Sequence, residues 1–127
     1  MILLTNSAAQ TVEPGVAVTY DTVAFQTGQG ECHRGGSSAV SMRCNGIYEA
    51  HFSADVSGTA PLELTIELDG EALPETVMIS NSAEAQNVST MTAIRNCCTG
   101  CGRITVVNTG ATAATVANPK LFVKRVA

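Results

Sequence analysis

Residues 62–70, Leu-Glu-Leu-Thr-Ile-Glu-Leu-Asp-Gly, decide the fold class of this chain. Four aliphatic residues alternate with two glutamates and a threonine, which is the period-two pattern of a strand with one buried face. Asp69-Gly70 then gives a strong hairpin signal. Residues 48–56 repeat the alternation, with apolar side chains at the even positions. The two stretches therefore predict antiparallel strands in an all-β protein.

The rest of the chain extends this pattern. Residues 103–108 predict a strand closed by Thr109-Gly110, and residues 120–126 predict a last strand entered through Asn118-Pro119. Weaker strands are predicted over 2–4, 16–25, 39–43, 76–79 and 88–96. No segment shows a helical stripe, and turn signals recur about every 8–12 residues. We expect one domain over 1–127, with 1–11 as a candidate N-terminal arm. Its fold would be an antiparallel two-sheet sandwich of about eight to ten strands.

Composition and charge exclude several classes of function. The 127 residues carry a formal charge of −4 and no cluster of Lys or Arg, which argues against nucleic-acid binding. No apolar run reaches membrane-spanning length. The first seven residues lack the basic region of a secretory signal peptide. We therefore expect a protein made in the cytoplasm without a signal peptide.

Two groups of motifs carry a resemblance to a known family. The first runs from Phe25-Gln-Thr-Gly-Gln-Gly through a Gly-Ser hairpin at 33–42 to Gly46-Ile-Tyr-Glu-Ala-His-Phe-Ser-Ala. The second joins residues 62–70 to Gly-Arg-Ile-Thr-Val-Val-Asn-Thr-Gly at 102–110 and to the final strand. Together, over about residues 12–127, they resemble the tumour-necrosis-factor-like trimeric jelly roll. The resemblance is to the version in bacterial collagen-like spore-surface glycoproteins and phage virion proteins.

The resemblance implies a jelly-roll homotrimer with one sheet face buried at the threefold axis. It places the last strand, including Leu121 and Val123, near that axis. A collagen-like stalk is missing from the sequence, which favours a non-enzymatic virion structural protein, a decoration or fibre-type module on a phage surface. Its expected partners are its own copies, a capsid or other virion protein and a host-surface glycan.

Two other functions remain open. A carbohydrate-binding or adhesive surface module would use the same fold, but the sequence has no Trp and only 4% aromatic residues to stack on sugar rings. A cysteine or zinc enzyme is the remaining alternative. No Ser or Cys has a His and an acid in a recognisable catalytic order, and His51 lies on the polar face of its predicted strand. We therefore expect no enzymatic activity.

The stretch Asn-Cys-Cys-Thr-Gly-Cys-Gly at 96–102 holds three of the five cysteines. Cys98 and Cys101 have the spacing of a zinc knuckle, and Cys32, His33 and Cys44 could complete four ligands. In a jelly roll this stretch and Cys44 could lie at the same end, which allows a structural disulfide between Cys44 and Cys97, Cys98 or Cys101. Free thiols are the third possibility. A hairpin tip at Gly35-Gly36 would pair Cys32 with Ala39 and place it about 16 Å from Cys44, too far for a disulfide.

Overall fold

The computed structural model describes residues 1–28, 31–33, 37–96 and 102–127. In these ranges the regular structure is β-strand apart from one 3₁₀ turn at Pro74–Thr76. None of the described segments is a helix with the length and apolar character needed to cross a bilayer. The strands in chain order are β1 (Ile2–Thr5), β2 (Gln10–Val12), β3 (Thr22–Gln26), β4 (Glu31–Cys32), β5 (Val40–Met42), β6 (Gly46–Gly58), β7 (Leu62–Leu68), β8 (Glu71–Ala72), β9 (Met78–Ser80), β10 (Gln86–Asn96), β11 (Gly102–Asn108) and β12 (Ala114–Arg125).

The strands form two antiparallel sheets. Sheet I has the order β10-β6-β12-β1-β3, and β2 also pairs with β12. Sheet II has the order β4-β5-β11-β7-β8, and β9 also pairs with β7. The predicted all-β jelly-roll sandwich is confirmed. The described residues contain more strands than predicted, because sheet II also includes short strands such as β4 and β8, which are two residues long.

The core lies between the two sheets and follows the predicted alternation. In β6 the even positions from Tyr48 to Val56 are buried, and in β7 Leu62, Leu64 and Ile66 face them. Each fully buried large side chain stabilises the fold by about 1.5–3 kcal/mol. This leaves the odd positions of β6 on the outward face of sheet I.

Several local predictions hold and others fail. The Asp69-Gly70 hairpin forms, with φ values of 52° and 86° and Leu68 paired with Glu71. The sequence predicted that the last strand is entered through Asn118-Pro119, and this is wrong. β12 begins at Ala114, and Asn118 (φ 51°) lies in a bulge within it. A bulge tolerates proline because the ladder is interrupted there.

Three further segments differ from the sequence-based expectation. Cys32 pairs with Ser41 and not with Ala39, a register shift of two residues. The strand predicted over 16–25 forms at Thr22–Gln26, whereas Ala17 makes a single bridge to Val107. Residues 1–11, the candidate arm, contribute β1 and the first two residues of β2 to sheet I.

The Gly-x-Tyr motif has a clear structural role. Gly46 adopts φ +153°, and a Cβ there would lie 2.5 Å from the carbonyl oxygen of Ala127. The backbone amide of Ile47 also donates to that oxygen, so β6 begins against the end of the chain. Tyr48 is fully buried, and its hydroxyl donates to the carbonyl of Cys44 at 2.9 Å. The motif therefore closes one end of the sandwich.

The two buried tyrosines give a matched prediction. Burial raises the pKa of Tyr20, and its hydroxyl has no hydrogen-bond partner among the described residues, whereas the Tyr48 hydroxyl donates to the carbonyl of Cys44. Since an unpaired buried hydroxyl is costly, Tyr20→Phe should leave the free energy of unfolding unchanged or raise it by about 1 kcal/mol. Tyr48→Phe should lower it by about 0.5–1.5 kcal/mol. Urea unfolding of the wild type and the two variants at one protein concentration measures both changes. A larger loss of unfolding free energy for Tyr20→Phe than for Tyr48→Phe would contradict the prediction.

Candidate interaction face

One row of side chains crosses the outward face of sheet I from edge to edge. Phe25 pairs with Leu3, and Leu3 pairs with Phe122. Phe122 pairs with His51, and His51 pairs with Met91. Partners in an antiparallel ladder present their side chains on the same face. These five residues are called the cross-sheet row, and four of them are apolar.

The cross-sheet row is accessible in the single chain. Phe25 is 47% exposed and Met91 is 56% exposed. A groove of about 560 Å³ lies along the row, and Leu3, Phe122 and Lys120 help to line it. Large apolar side chains aligned across a sheet mark an interaction site more strongly than scattered ones do.

His51 is held between an aromatic ring and a carboxylate. Its ring meets Phe122 edge-on, with centroids 5.8 Å apart. Its Nε2 lies 3.8 Å from a carboxylate oxygen of Glu49, and the two side chains are 42% and 36% exposed. The predicted position of His51 on the polar face of its strand is correct, but the neighbours across the sheet make this part of the face largely apolar.

Polar residues flank the cross-sheet row. On one side Lys120 pairs with Ser53, and Ser53 pairs with Ser89. Further along, the Asp55 carboxylate accepts hydrogen bonds from Asn87 and Asn118, at 3.2 and 3.3 Å. On the other side Lys124 pairs with Glu49. The face thus has an apolar band with a polar border, the usual anatomy of a protein–protein interface.

The two edge strands of sheet I lack the usual protection. All five residues of β3 are exposed, and none is charged. In the eleven residues of β10 the single charge is Arg95, near the end of the strand. Proteins normally guard exposed edges with charges, proline or very short strands. Sheet II follows that rule, because β4 and β8 are each two residues long and the glutamate of β8, Glu71, is exposed.

The sequence pointed to the wrong side chains of the last strand. Leu121 and Val123 are completely buried inside the chain, where they pack in the core with residues such as Phe52. They cannot contact another copy directly, so their placement at a trimer interface is corrected. Phe122, between them, faces outward. The sequence did carry a signal for Phe122 and Met91, because each is a large apolar residue on the otherwise mostly polar face of its strand.

The cysteine cluster is described in part. Cys97, Cys98 and Cys101 lie outside the described residues, and only the backbone pairing of Cys32 is described. Cys44 is partly buried and has no disulfide to a described residue. Its carbonyl accepts from the side-chain amide of Asn96 at 3.0 Å. Gly102, at the start of β11, pairs with Met42. The residues on both sides of 97–101 therefore lie next to the turn that holds Cys44.

The proposed metal ligands are only partly described. His33 Nδ1 lies 2.9 Å from the carbonyl oxygen of Ala39 and Nε2 lies 3.4 Å from that of Tyr20, so both ring nitrogens have a backbone neighbour within hydrogen-bond reach. In the described ranges no three His, Cys, Asp or Glu side chains come together to hold a metal ion. Three of the five cysteines lie beyond those ranges, so zinc binding, an alternative for which the sequence offers Cys32, Cys44, Cys98 and Cys101, stays untested.

Comparisons with known proteins agree on the fold. No protein-family model matches the sequence, and no curated protein is detectably similar to it. Among solved structures, the globular domain of zebrafish complement 1qA protein is similar with a TM-score of 0.71 and 11% identity, covering 95% of this chain and 94% of that one. Murine APRIL is similar with a TM-score of 0.67 and 14% identity, covering 97% and 98%.

A third solved structure, the PRD1 vertex protein P5, has a TM-score of 0.61 and 10% identity to this chain. The match covers 99% of this chain and 96% of the vertex protein. At these identities the likenesses show the fold alone. The expected tumour-necrosis-factor-like jelly roll is confirmed.

Proposed function

We propose that this chain is a non-enzymatic structural module that assembles into a homotrimer on the surface of a phage particle. The observation that carries the proposal is the cross-sheet row on a sheet whose two edge strands carry a single charged residue, Arg95. Such a face is costly to leave in water and is suited to burial against copies of the same chain. The tumour-necrosis-factor-like resemblance implies three copies around an axis.

The virion location has separate support. A phage vertex protein shares the fold over almost the whole of both chains. The assembly mechanism needs only the burial of apolar surface, because the outward faces of sheet I meet at the axis. One end of the trimer then docks on a capsid or other virion protein, and the opposite end faces the host or its glycans. No cofactor is required for this role.

Particle reconstitution tests the proposed role. Purified particles should contain the chain, and mild denaturant should release it. Purified wild-type protein should then bind the stripped particles again in multiples of three, measured by quantitative mass spectrometry. A chain found in infected cells but absent from purified particles would contradict the virion role, even if the protein is trimeric.

We also propose that the cysteine-rich end is stapled by at least one disulfide, with Cys44 bonded to Cys97, Cys98 or Cys101. The support is the position of Asn96 and Gly102 beside the turn that holds Cys44. Alkylation of the non-reduced, denatured protein should modify at least two fewer thiols than the five that react after reduction. Five reactive thiols before reduction, in protein purified without reductant, would show that no staple forms.

A further inference from the structure

The ends of the cross-sheet row lie on opposite edges of sheet I. Phe25 is in edge strand β3, Met91 is in edge strand β10, and Phe122 is the middle residue of the five. The adjacent row has the same form, because it runs from Thr22 in β3 to Ser89 in β10. Each row thus ends in side chains of matching character, apolar in one and small hydroxyls in the other.

Ring symmetry relates these two edges. In a closed ring of identical chains every interface joins two different patches, one from each neighbour. If the outward face of sheet I turns toward the axis, the β3 edge of one copy meets the β10 edge of the next. Rotation about an axis parallel to the strands keeps each residue at its own height. Residues of the same row therefore meet across the interface.

We propose that Phe25 of one copy packs against Met91 of the next, and that this contact, repeated around the axis, closes the ring. This inference rests on the proposed trimer and specifies how its neighbours meet. The contact covers the two largest exposed side chains of the row and removes both unguarded edges from solvent. A methionine sulfur beside an aromatic ring is itself a favourable contact.

A charge pair tests the contact directly. Phe25→Glu and Met91→Lys each place a charge at an apolar interface. Each should raise the dissociation midpoint, the protein concentration at which half of the chains are trimeric, at least about 100-fold. The double variant places opposite charges at every interface and should bring the midpoint back to within about tenfold of wild type. The recovery should weaken at high salt. Sedimentation equilibrium over a concentration series gives all four midpoints, and circular dichroism checks folding.

The matched control combines Phe25→Glu with Ile79→Lys, because Ile79 is 55% exposed on β9 of sheet II. It should not recover the trimer; recovery there would show a general charge effect and overturn the inference. A double variant no better than the two single variants combined would also overturn it. In both cases a trimeric wild type leaves the proposed function standing, whereas a monomeric wild type overturns the proposed function itself.

Discussion

Phe122→Glu is expected to convert the proposed trimer into a folded monomer. Phe122 is the middle residue of the cross-sheet row, with Leu3 on one side and His51 on the other. In a threefold assembly each copy would bring one glutamate to the same apolar region. Burying an unpaired carboxylate there is unfavourable, and the three like charges also repel each other. The dissociation midpoint should rise at least about 100-fold, the effect of a central interface residue.

The fold itself should tolerate this change, because the Phe122 side chain lies outside the core formed by Leu121 and Val123. Size-exclusion chromatography with light scattering measures the mass, and far-ultraviolet circular dichroism checks the fold. Two controls isolate the cause. Phe122→Leu keeps an apolar side chain and should stay trimeric, and Ile79→Glu adds the same charge on sheet II and should also stay trimeric. A trimeric Phe122→Glu protein would show that the outward face of sheet I is not the interface.

Asn108→Ala is expected to cause the largest loss of folding stability among polar substitutions of the described residues. Asn108 is 1% exposed. Its side-chain amide donates to the carbonyl of Val12 at 2.8 Å and to that of Thr112 at 2.9 Å. Its side-chain oxygen accepts from the backbone amide of Gly110 at 2.9 Å. One side chain thus joins the end of β11, the end of β2 and the loop before β12.

Truncation to alanine removes three hydrogen bonds, of which the one to the carbonyl of Val12 is buried and the ones to Thr112 and Gly110 are partly buried. We expect the free energy of unfolding to fall by about 3–5 kcal/mol, a large share of the total for a domain of this size. Asn87→Ala is the matched control, because Asn87 is exposed and makes one long hydrogen bond to Asp55; it should cost less than about 0.5 kcal/mol. Urea unfolding must use one protein concentration, since association stabilises the folded state. A loss below about 1 kcal/mol at Asn108 would contradict this role.

The fold could be predicted from the sequence because the signals that specify it lie within single strands and turns. Alternation in residues 48–56 and 62–68 reports which side chains share a face, and the Asp69-Gly70 turn fixes how two neighbouring strands meet. The motif order supplied the jelly-roll topology. Asn108 belongs to the Asn-x-Gly part of that motif, and its hydrogen bonds explain why such a residue suits the end of β11.

The interaction face did not follow from the sequence because it depends on pairing between distant strands. Leu121 and Val123 visibly share one face of the last strand, but the alternation does not say whether that face is turned inward or outward. The bulge at Asn118 also shifts the register of β12 against β6. Only the combined registers of five strands align Phe25, Leu3, Phe122, His51 and Met91 in one row.

The most direct test of self-assembly is native mass spectrometry of the wild-type protein at micromolar concentration. A single species with three times the 13.1 kDa mass of the chain is the predicted result. A species with the mass of one chain at that concentration would contradict the trimer and the interaction face assigned to sheet I.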